Sequence, residues 1–482
     1  MGVLSELKPQ SVFSYFERLC SVPHGSGNTK IISDLCVEMA KELGLRCRQD
    51  ELNNVIIWKD GSRGYENAEP VILQGHMDMV CVKTKDSAKD MAKEGLDLCT
   101  DGQWIWADKT SLGGDDCIAV AVAFAVLADD TLAHPPLEVV LTVDEETGMD
   151  GAFGIDCSDL KGRMFLNLDS EEDGVFTVSC AGGARARCLL PGTKEPADSD
   201  TFFEVTLCGL QGGHSGAEID KGRANANQLM GRVLYTAMQR LDTLRLADIH
   251  GGQFENVICP RNDAVVGVPA AKAAAFEAFI TAFAAVLQNE YRGCDDGLQL
   301  TCRRVEARPA LSVKTTHRVL TALLVVPQGV EAMNVDFPGL VQTSLNMGVM
   351  HMDGEGVHFT LSVRSCIASQ KEMLLQRIGA IIELAGGTVE PGNDYPGWQY
   401  ARESVLRDRV MAAYRAVTGK EGRIEATHGG LECGLFIEKM PGLDAVSLGP
   451  EMHDIHSERE RLSVPSTAQL YEVVCRVLEM SK

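Results

Sequence analysis

Leu137-Glu138-Val139-Val140-Leu141-Thr142-Val143-Asp144-Glu145-Glu146-Thr147-Gly148 is the stretch that decides the architecture. A short, nearly continuous apolar run fits a strand buried on both faces of a covered sheet. Here the run ends in three consecutive carboxylates. Acids at the end of a buried strand are costly unless something positive sits among them. Open α/β sheets place their ligands at such strand ends. The pattern recurs downstream, where the apolar run Arg163–Leu168 is followed by Asp169-Ser170-Glu171-Glu172-Asp173. Upstream, the strand-like Val71-Ile72-Leu73 leads into His76-Met77-Asp78.

Helices are expected between these strands. Asn28–Gly44 repeats apolar residues at Ile31, Leu35 and Met39 and again at Ile32, Cys36 and Ala40, with Gly44 placed to end the helix. A small-residue stretch at about Asp116–Leu127 is apolar nearly all round, as a buried helix would be. Further β-type runs lie at Asn54–Trp58 and Pro70–Leu73. Strand, helix and strand in alternation predict a sheet covered by helices.

From about Gly182 to Pro391 the pattern changes. Alternating runs such as Thr201–Leu207 and Val357–Val363 accompany two helical stretches, Ala226–Leu241 and the Ala-rich Ala270–Leu287. This predicts a separate α+β domain. Its length leaves room for an internal duplication, although no sequence repeat is evident. The chain then returns to α/β character, with a helix at Ser404–Thr418, a strand at Ala445–Leu448 and a closing helix at Ser466–Glu479.

Composition narrows the function. The 482 residues allow roughly two to four domains. Hydrophobic residues at 45% and charged residues at 23% are ordinary for a globular protein. A net charge of −23 argues against nucleic acid as a partner, because phosphate contacts need a basic footprint. No membrane span is expected: the apolar stretch Ile118–Ala128 is far short of the ~20 residues required. Sixteen Cys without a CxxC pair exclude a zinc ribbon or a thioredoxin-type site. Met1–Pro9 has no secretory pattern, so a cytoplasmic protein with reduced thiols is expected.

The chemistry rests on a combination of weak signals. A His one step from a carboxylate, as in His76-Met77-Asp78, lets the acid hold one ring nitrogen while the other binds a metal. Ser111-Leu112-Gly113-Gly114-Asp115-Asp116 opens the buried helix with glycines and two acids. Taken singly, these acids also read as a helix cap, and the strand-end clusters as exposed turns. Late in the chain stands His453-Asp454-Ile455-His456. Mixed nitrogen and oxygen donors without thiolate suit Zn²⁺, Mn²⁺ or Co²⁺ in an open catalytic site. More carboxylates than one ion needs suggest two ions sharing a ligand. No HExxH is present, which excludes a thermolysin-type site.

The set resembles the zinc-dependent dipeptidase, aminoacylase and carboxypeptidase superfamily, and within it the aminoacyl-histidine dipeptidase (peptidase D) branch. The similarity runs along nearly the whole chain: GHMDMV near 75, SLGGDD near 111, DEETGMDGAFG near 144, LNLDSEEDG near 166, CAGG from Cys180, GGHSG near 212, ENVICPR near 255, SVRS near 362, HGGLECGLF near 428 and IHSE near 455. HGGLECGLF and GGHSGAEID are the most specific of these.

The resemblance implies an α/β catalytic domain over 1–185 plus 392–482, with metals at strand C-terminal ends, and an inserted α+β lid or dimerisation domain over 186–391. It implies that Asp115 bridges two Zn²⁺ ions, for which Co²⁺ or Mn²⁺ could substitute. His76 and Asp169 would complete one site, and Glu146 and His456 the other. Asp78 would orient His76, and Glu145 would be the general base acting on a metal-bridging water. His456 is preferred to His453 because Ser457 follows it, as in the family. On the lid, His214 would polarise the scissile carbonyl, while Arg364 and Asn256 would hold the substrate's C-terminal carboxylate. Gly430 would contribute backbone on the facing loop, and Glu432 would pair with the substrate's amino group. The chain departs from the branch at Asp116 and Cys117, where Asn and Gly are common, and at Thr147 and Cys259.

A dinuclear zinc dipeptidase acting on unblocked dipeptides, including Xaa-His of the β-Ala-His type, is therefore expected. The nearer alternative is an N-acyl amino acid amidase on the same scaffold. A catalytically silent binding protein would have lost a ligand or the base, and neither is lost. The resemblance also implies a homodimer and closure of the lid over the substrate.

Overall fold

The structure, a computed structural model, describes residues 2–198 and 200–482. The chain forms two compact units: Met1–Ser179 with Tyr400–Ala426 and Leu431–Lys482, and Cys180–Gln399 with Thr427–Gly430. The divisions read from sequence at 185/186 and 391/392 fall inside two strands of the second unit, Gly182–Pro191 and Thr388–Tyr395. No Pro/Gly-rich linker marks the true crossings, so composition could not place them.

In the first unit, Leu137–Thr142 is a strand with every residue buried. Its one charged member, Glu138, is satisfied by the backbone N–H groups of Lys161 and Gly162, each at 3.0 Å. The sheet has eight strands, in the order Arg46–Gln49, Val55–Lys59, Leu137–Thr142, Val71–His76, Met164–Asn167, Asp444–Ser447, Val175–Cys180 and Arg423–Thr427. Val71–His76 runs parallel to Leu137–Thr142 and to Met164–Asn167, which in turn runs parallel to Asp444–Ser447. The chain therefore leaves His76, Thr142 and Asn167 on one edge, and each strand leads straight into the acids that follow it.

The buried helix spans Gly114–Ala128, and Gly114–Leu127 are all buried. It packs with Gln10–Cys20, where Tyr15 and Phe124 bring their rings to 5.5 Å. Asp115 and Asp116 depart from helical geometry, so the two acids form an irregular turn ahead of the regular helix. Gly75 is required opposite that turn. A Cβ there would lie 2.6 Å from both Asp116 Oδ2 and Ala119 Cβ.

The second unit is built on one antiparallel nine-stranded sheet. Its strands fall into two halves of identical connectivity. The first half is Asp200–Cys208, helix Ala226–Leu241, Arg245–Gly251, Asn262–Pro269, helix Ala273–Glu290 and Gln299–Val305. The second is Gly182–Pro191, helix Val313–Val325, Val341–Met352, Gly356–Ser365, helix Ala368–Leu384 and Thr388–Tyr395. Each is a split βαβ arrangement in which the fourth strand lies beside the first, then the third, then the second. The halves join through their second strands at Gly251↔Met350. The duplication left open by the sequence is thus present in topology. Short Gly329–Met333 adds to the second half.

The Ala-rich helix starts with a 3₁₀ turn, Ala270–Lys272, and continues over Ala273–Glu290. By length and composition alone it could cross a membrane. Its Phe276, Phe279, Ile280, Phe283 and Leu287, spaced by three or four residues, pack into the core of this unit.

Candidate dinuclear metal centre

The expected ligands of the first unit gather at the strand ends. His76 closes one strand, and its Nε2 lies 3.0 Å from Asp115 Oδ1 and 3.6 Å from Asp169 Oδ1. His456 Nε2 lies 3.2 Å from the other oxygen, Asp115 Oδ2, and 2.9 Å from Glu146 Oε1. One carboxylate thus presents an oxygen to each imidazole, as a ligand shared by two ions must. His76 Nδ1 faces the Asp78 carbonyl at 3.0 Å and its carboxylate at 3.5 Å, which leaves Nε2 for a metal. The Asp78 carboxylate also accepts from Ser26 Oγ at 2.8 Å and from Glu145 N at 3.2 Å, tying residue 145 to the same corner. Asp144, just before Glu145, and His456 both adopt left-handed backbone, with φ of 57°. Such strain gathers at sites that the surrounding structure over-determines.

The electrostatics call for positive charge here. Burial opposes a charged His76, yet Asp169, Asp115 and Asp78 hold its pKa well above the ordinary value. Hydrogen bonds to Asp115 and Glu146 push His456 up to about 10. Asp115 stays below the usual carboxylate range despite burial, because His456 and His76 face it. Burial, partly offset by His76, pushes Asp169 up to about 6. Burial also raises Glu145, with Asp169, Glu432 and Glu146 adding to the rise and His76 opposing it. Three groups here, His76 with Asp116 and Asp169, His76 with Glu145 and Glu146, and Asp115 with Glu146 and His456, each hold their donor atoms within 4.8 Å of one another. Two imidazoles and several carboxylates around one shared Asp fit a pair of borderline divalent ions.

Glu460 was not singled out from sequence. It is buried, and its carboxylate accepts from Leu112 N at 2.7 Å, Gly113 N at 3.1 Å and Gly114 N at 2.8 Å. Gly113 has φ of 65°, which turns these N–H groups to one side. The segment that supplies His456 therefore also anchors the loop that presents Asp115. Three adjacent N–H groups in a Gly-rich turn were the available signal. Glu460→Gln is expected to weaken metal binding by about 10–100-fold, as changes behind a ligand do. Chelator competition reads the affinity, and activity should return at saturating metal. Unchanged affinity would show that the loop needs no anchor.

Glu432 requires a correction. It is fully buried, and its Oε2 accepts from Gln74 Nε2 at 2.6 Å and from Thr142 Oγ1 at 2.7 Å. Burial pushes it up to about 7. A carboxylate enclosed beneath the strand ends does not suit a substrate ammonium group. The motif placed Glu432 on the loop facing the substrate, but it stands at the start of the helix Cys433–Lys439 with its side chain buried. Glu171 is the exposed acid instead. It is crowded by the protein and repelled by Asp115 and Asp169, so its carboxyl is pushed up to about 7. His453 is half-buried, with its ring 5.1 Å from Trp104.

The remaining expected residues belong to the second unit. His214 Nδ1 accepts from Gly216 N at 3.3 Å and Ala217 N at 3.1 Å, so the ring carries its proton on Nε2. Burial and the charge of Arg364 lower its pKa, with Glu218 opposing. An isolated bridge, His214↔Val257, and a bond from Ser215 N to Asn256 O at 2.8 Å set Asn256 beside it. Arg364 is buried and donates to Tyr395 Oη at 3.3 Å. Among the described residues no carboxylate pairs with it. Its cross-strand neighbour Ser344 lies 2.7 Å from Nε2 of His428, a buried imidazole that burial and Arg364 push down to about 4. Gly430 is half-buried, and the neighbouring Gly429 carbonyl accepts from Ala181 N at 2.9 Å.

Fold and centre together define a metal-dependent hydrolase. The model of Peptidase family M20/M25/M40 matches residues 72–480, and the chain belongs to that family. It is therefore a metallopeptidase, and the resemblance read from its motifs is borne out along the whole chain. The chain is 37% identical over 482 residues to the cytosol non-specific dipeptidase of Escherichia coli (strain K12), covering 99% of each. It is also similar to the crystal structure of aminoacylhistidine dipeptidase from Vibrio alginolyticus, with a TM-score of 0.92 and 34% identity over 99% of this chain and 98% of that one. The aminopeptidase PepT of Bacillus cereus shares the fold, with a TM-score of 0.58 and 15% identity over 98% of this chain and 99% of that one.

Proposed function

We propose that the chain is a dinuclear zinc dipeptidase that hydrolyses unblocked dipeptides, Xaa-His of the β-Ala-His type among them. The observation that carries this reading is Asp115, with one oxygen toward His76 and the other toward His456. The two full-length relatives named as dipeptidases support the substrate class. Asp169 and Glu146 complete the donor sets, and Co²⁺ or Mn²⁺ would be accepted by the same donors. Two zinc ions held there would polarise the scissile carbonyl and lower the pKa of a shared water.

The chain's own residues do the rest. Glu145 takes the proton from the attacking water and delivers it to the leaving amine. Asp78 keeps His76 in the tautomer that ligates. His214 Nε2–H donates to the oxygen that becomes negative in the transition state. Arg364 holds the substrate carboxylate through its planar fork, with Asn256 and the Gly430 backbone as further contacts. Glu171 takes the ammonium partner role that Glu432 cannot fill. A cytoplasmic setting agrees with the name of the Escherichia coli relative.

An N-acyl amino acid amidase would need a neutral surrounding at the amino end, where Glu171 stands. Amino-acid release from β-Ala-His, Gly-His, Leu-Leu and N-acetyl-Leu by zinc-loaded enzyme separates the two. Release from the three free-amine substrates is expected, with KM rising in Glu171→Gln. Release mainly from N-acetyl-Leu would move the protein to the amidases.

A further inference from the structure

The second unit carries a cluster of metal-ligating side chains that the hydrolytic reaction does not use. Val341–Met352 and Gly356–Ser365 form a hairpin in which His351 and His358 are directly opposite. Their neighbours Met350, Val357 and Phe359 point into the helix-covered core. Alternation along each strand therefore turns both histidines to the other face of the sheet. The two imidazole rings lie 4.8 Å apart with 3° between their planes. At the turn, Asp353 Oδ1 lies 3.0 Å from His358 Nε2. The same carboxylate accepts from Glu355 N at 2.8 Å and Gly356 N at 3.3 Å, so the turn itself fixes its position. One donor atom from each of the three residues falls within 4.8 Å of the others.

We propose that His351, His358 and Asp353 form an additional divalent-metal site at the tip of this hairpin. Two imidazoles and one carboxylate select a borderline transition ion, zinc, nickel or copper(II), over magnesium or calcium. Cross-strand neighbours keep their Cβ atoms about 4.5–5.5 Å apart, so small ring rotations bring both nitrogens onto one ion. The exposed side of the cluster leaves the remaining coordination positions to water. Nearby His250 stands outside it: its Nε2 is directed toward Asp263 Oδ2, 3.9 Å away. The site would fasten the tip of the hairpin that carries Arg364 near its other end. It does not depend on the dipeptidase reading.

Zinc counting on the holoenzyme tests the proposal. Protein already loaded at its catalytic centre is equilibrated with free Zn²⁺, and bound zinc per chain is measured by elemental mass spectrometry. Wild-type protein and His250→Ala should hold one ion per chain more than His351→Ala/His358→Ala, with peptide hydrolysis unchanged in the double variant. Added Cu²⁺ should show nitrogen couplings in its paramagnetic resonance spectrum that the double variant loses. Equal zinc content in wild-type protein and the double variant, or identical copper spectra, would overturn the site. Asp353→Asn adds a milder variant, for which weaker zinc retention is expected.

Discussion

Glu145→Gln should lower kcat by about 10²–10⁴-fold while the protein keeps its full complement of metal. Gln preserves the size of the side chain and leaves the backbone bond from residue 145 to Asp78 in place. It cannot accept a proton. Because Glu145 is assigned no place among the ligands, ion content should stay at the wild-type value. KM should change little, since the lost interaction forms mainly in the transition state. Metal analysis and steady-state kinetics on one preparation decide the matter. A fully active, fully loaded variant would place the base elsewhere and sink the proposed mechanism.

Asp115→Asn should be more damaging and should fail differently. Asp115 faces His76 and His456 through different oxygens, at 3.0 and 3.2 Å. An amide offers one weak oxygen ligand and an NH₂ group that only donates, so it cannot serve two cations. Bound metal should fall below the wild-type content, and the loss of several kcal/mol of charge stabilisation corresponds to roughly 10⁴-fold in rate. Excess metal should restore little, in contrast to Glu460→Gln. A variant that keeps both ions and most of its rate would refute the bridging assignment.

The strand ends were legible because burial makes acids expensive. Leu137–Thr142 and Met164–Asn167 each run buried into carboxylates, and that juxtaposition needs no homologue to notice. His456 could not be placed by such reasoning. It comes from a distant loop, and its left-handed backbone leaves no periodic trace. Only the motif resemblance selected it over His453. Glu432 was misread for a related reason. Gln74 and Thr142, polar residues within buried strands, were the sign that some group must turn inward to meet them. The repeated topology of the second unit left no mark in periodicity or composition, because backbone connectivity survives after side chains diverge.

That repeated topology has a consequence for how the machinery is distributed. Two identical chains pairing across a two-fold axis through equivalent edge strands would build the same kind of sheet. Their pairing would weaken on dilution, and each copy would have to carry every residue the other carries. Here the partners are covalently one molecule, so the join between Arg245–Gly251 and Val341–Met352 is held at a fixed effective concentration. The halves are also released from symmetry. His214 and Asn256 stand on one half and Arg364 on the other, and each could specialise without its counterpart following. The outer edges of the sheet, Gln299–Val305 with Arg303 and Arg304, and Thr388–Tyr395 with Glu390, Pro391 and Asp394, carry charge and proline of the sort that discourages a further strand from joining.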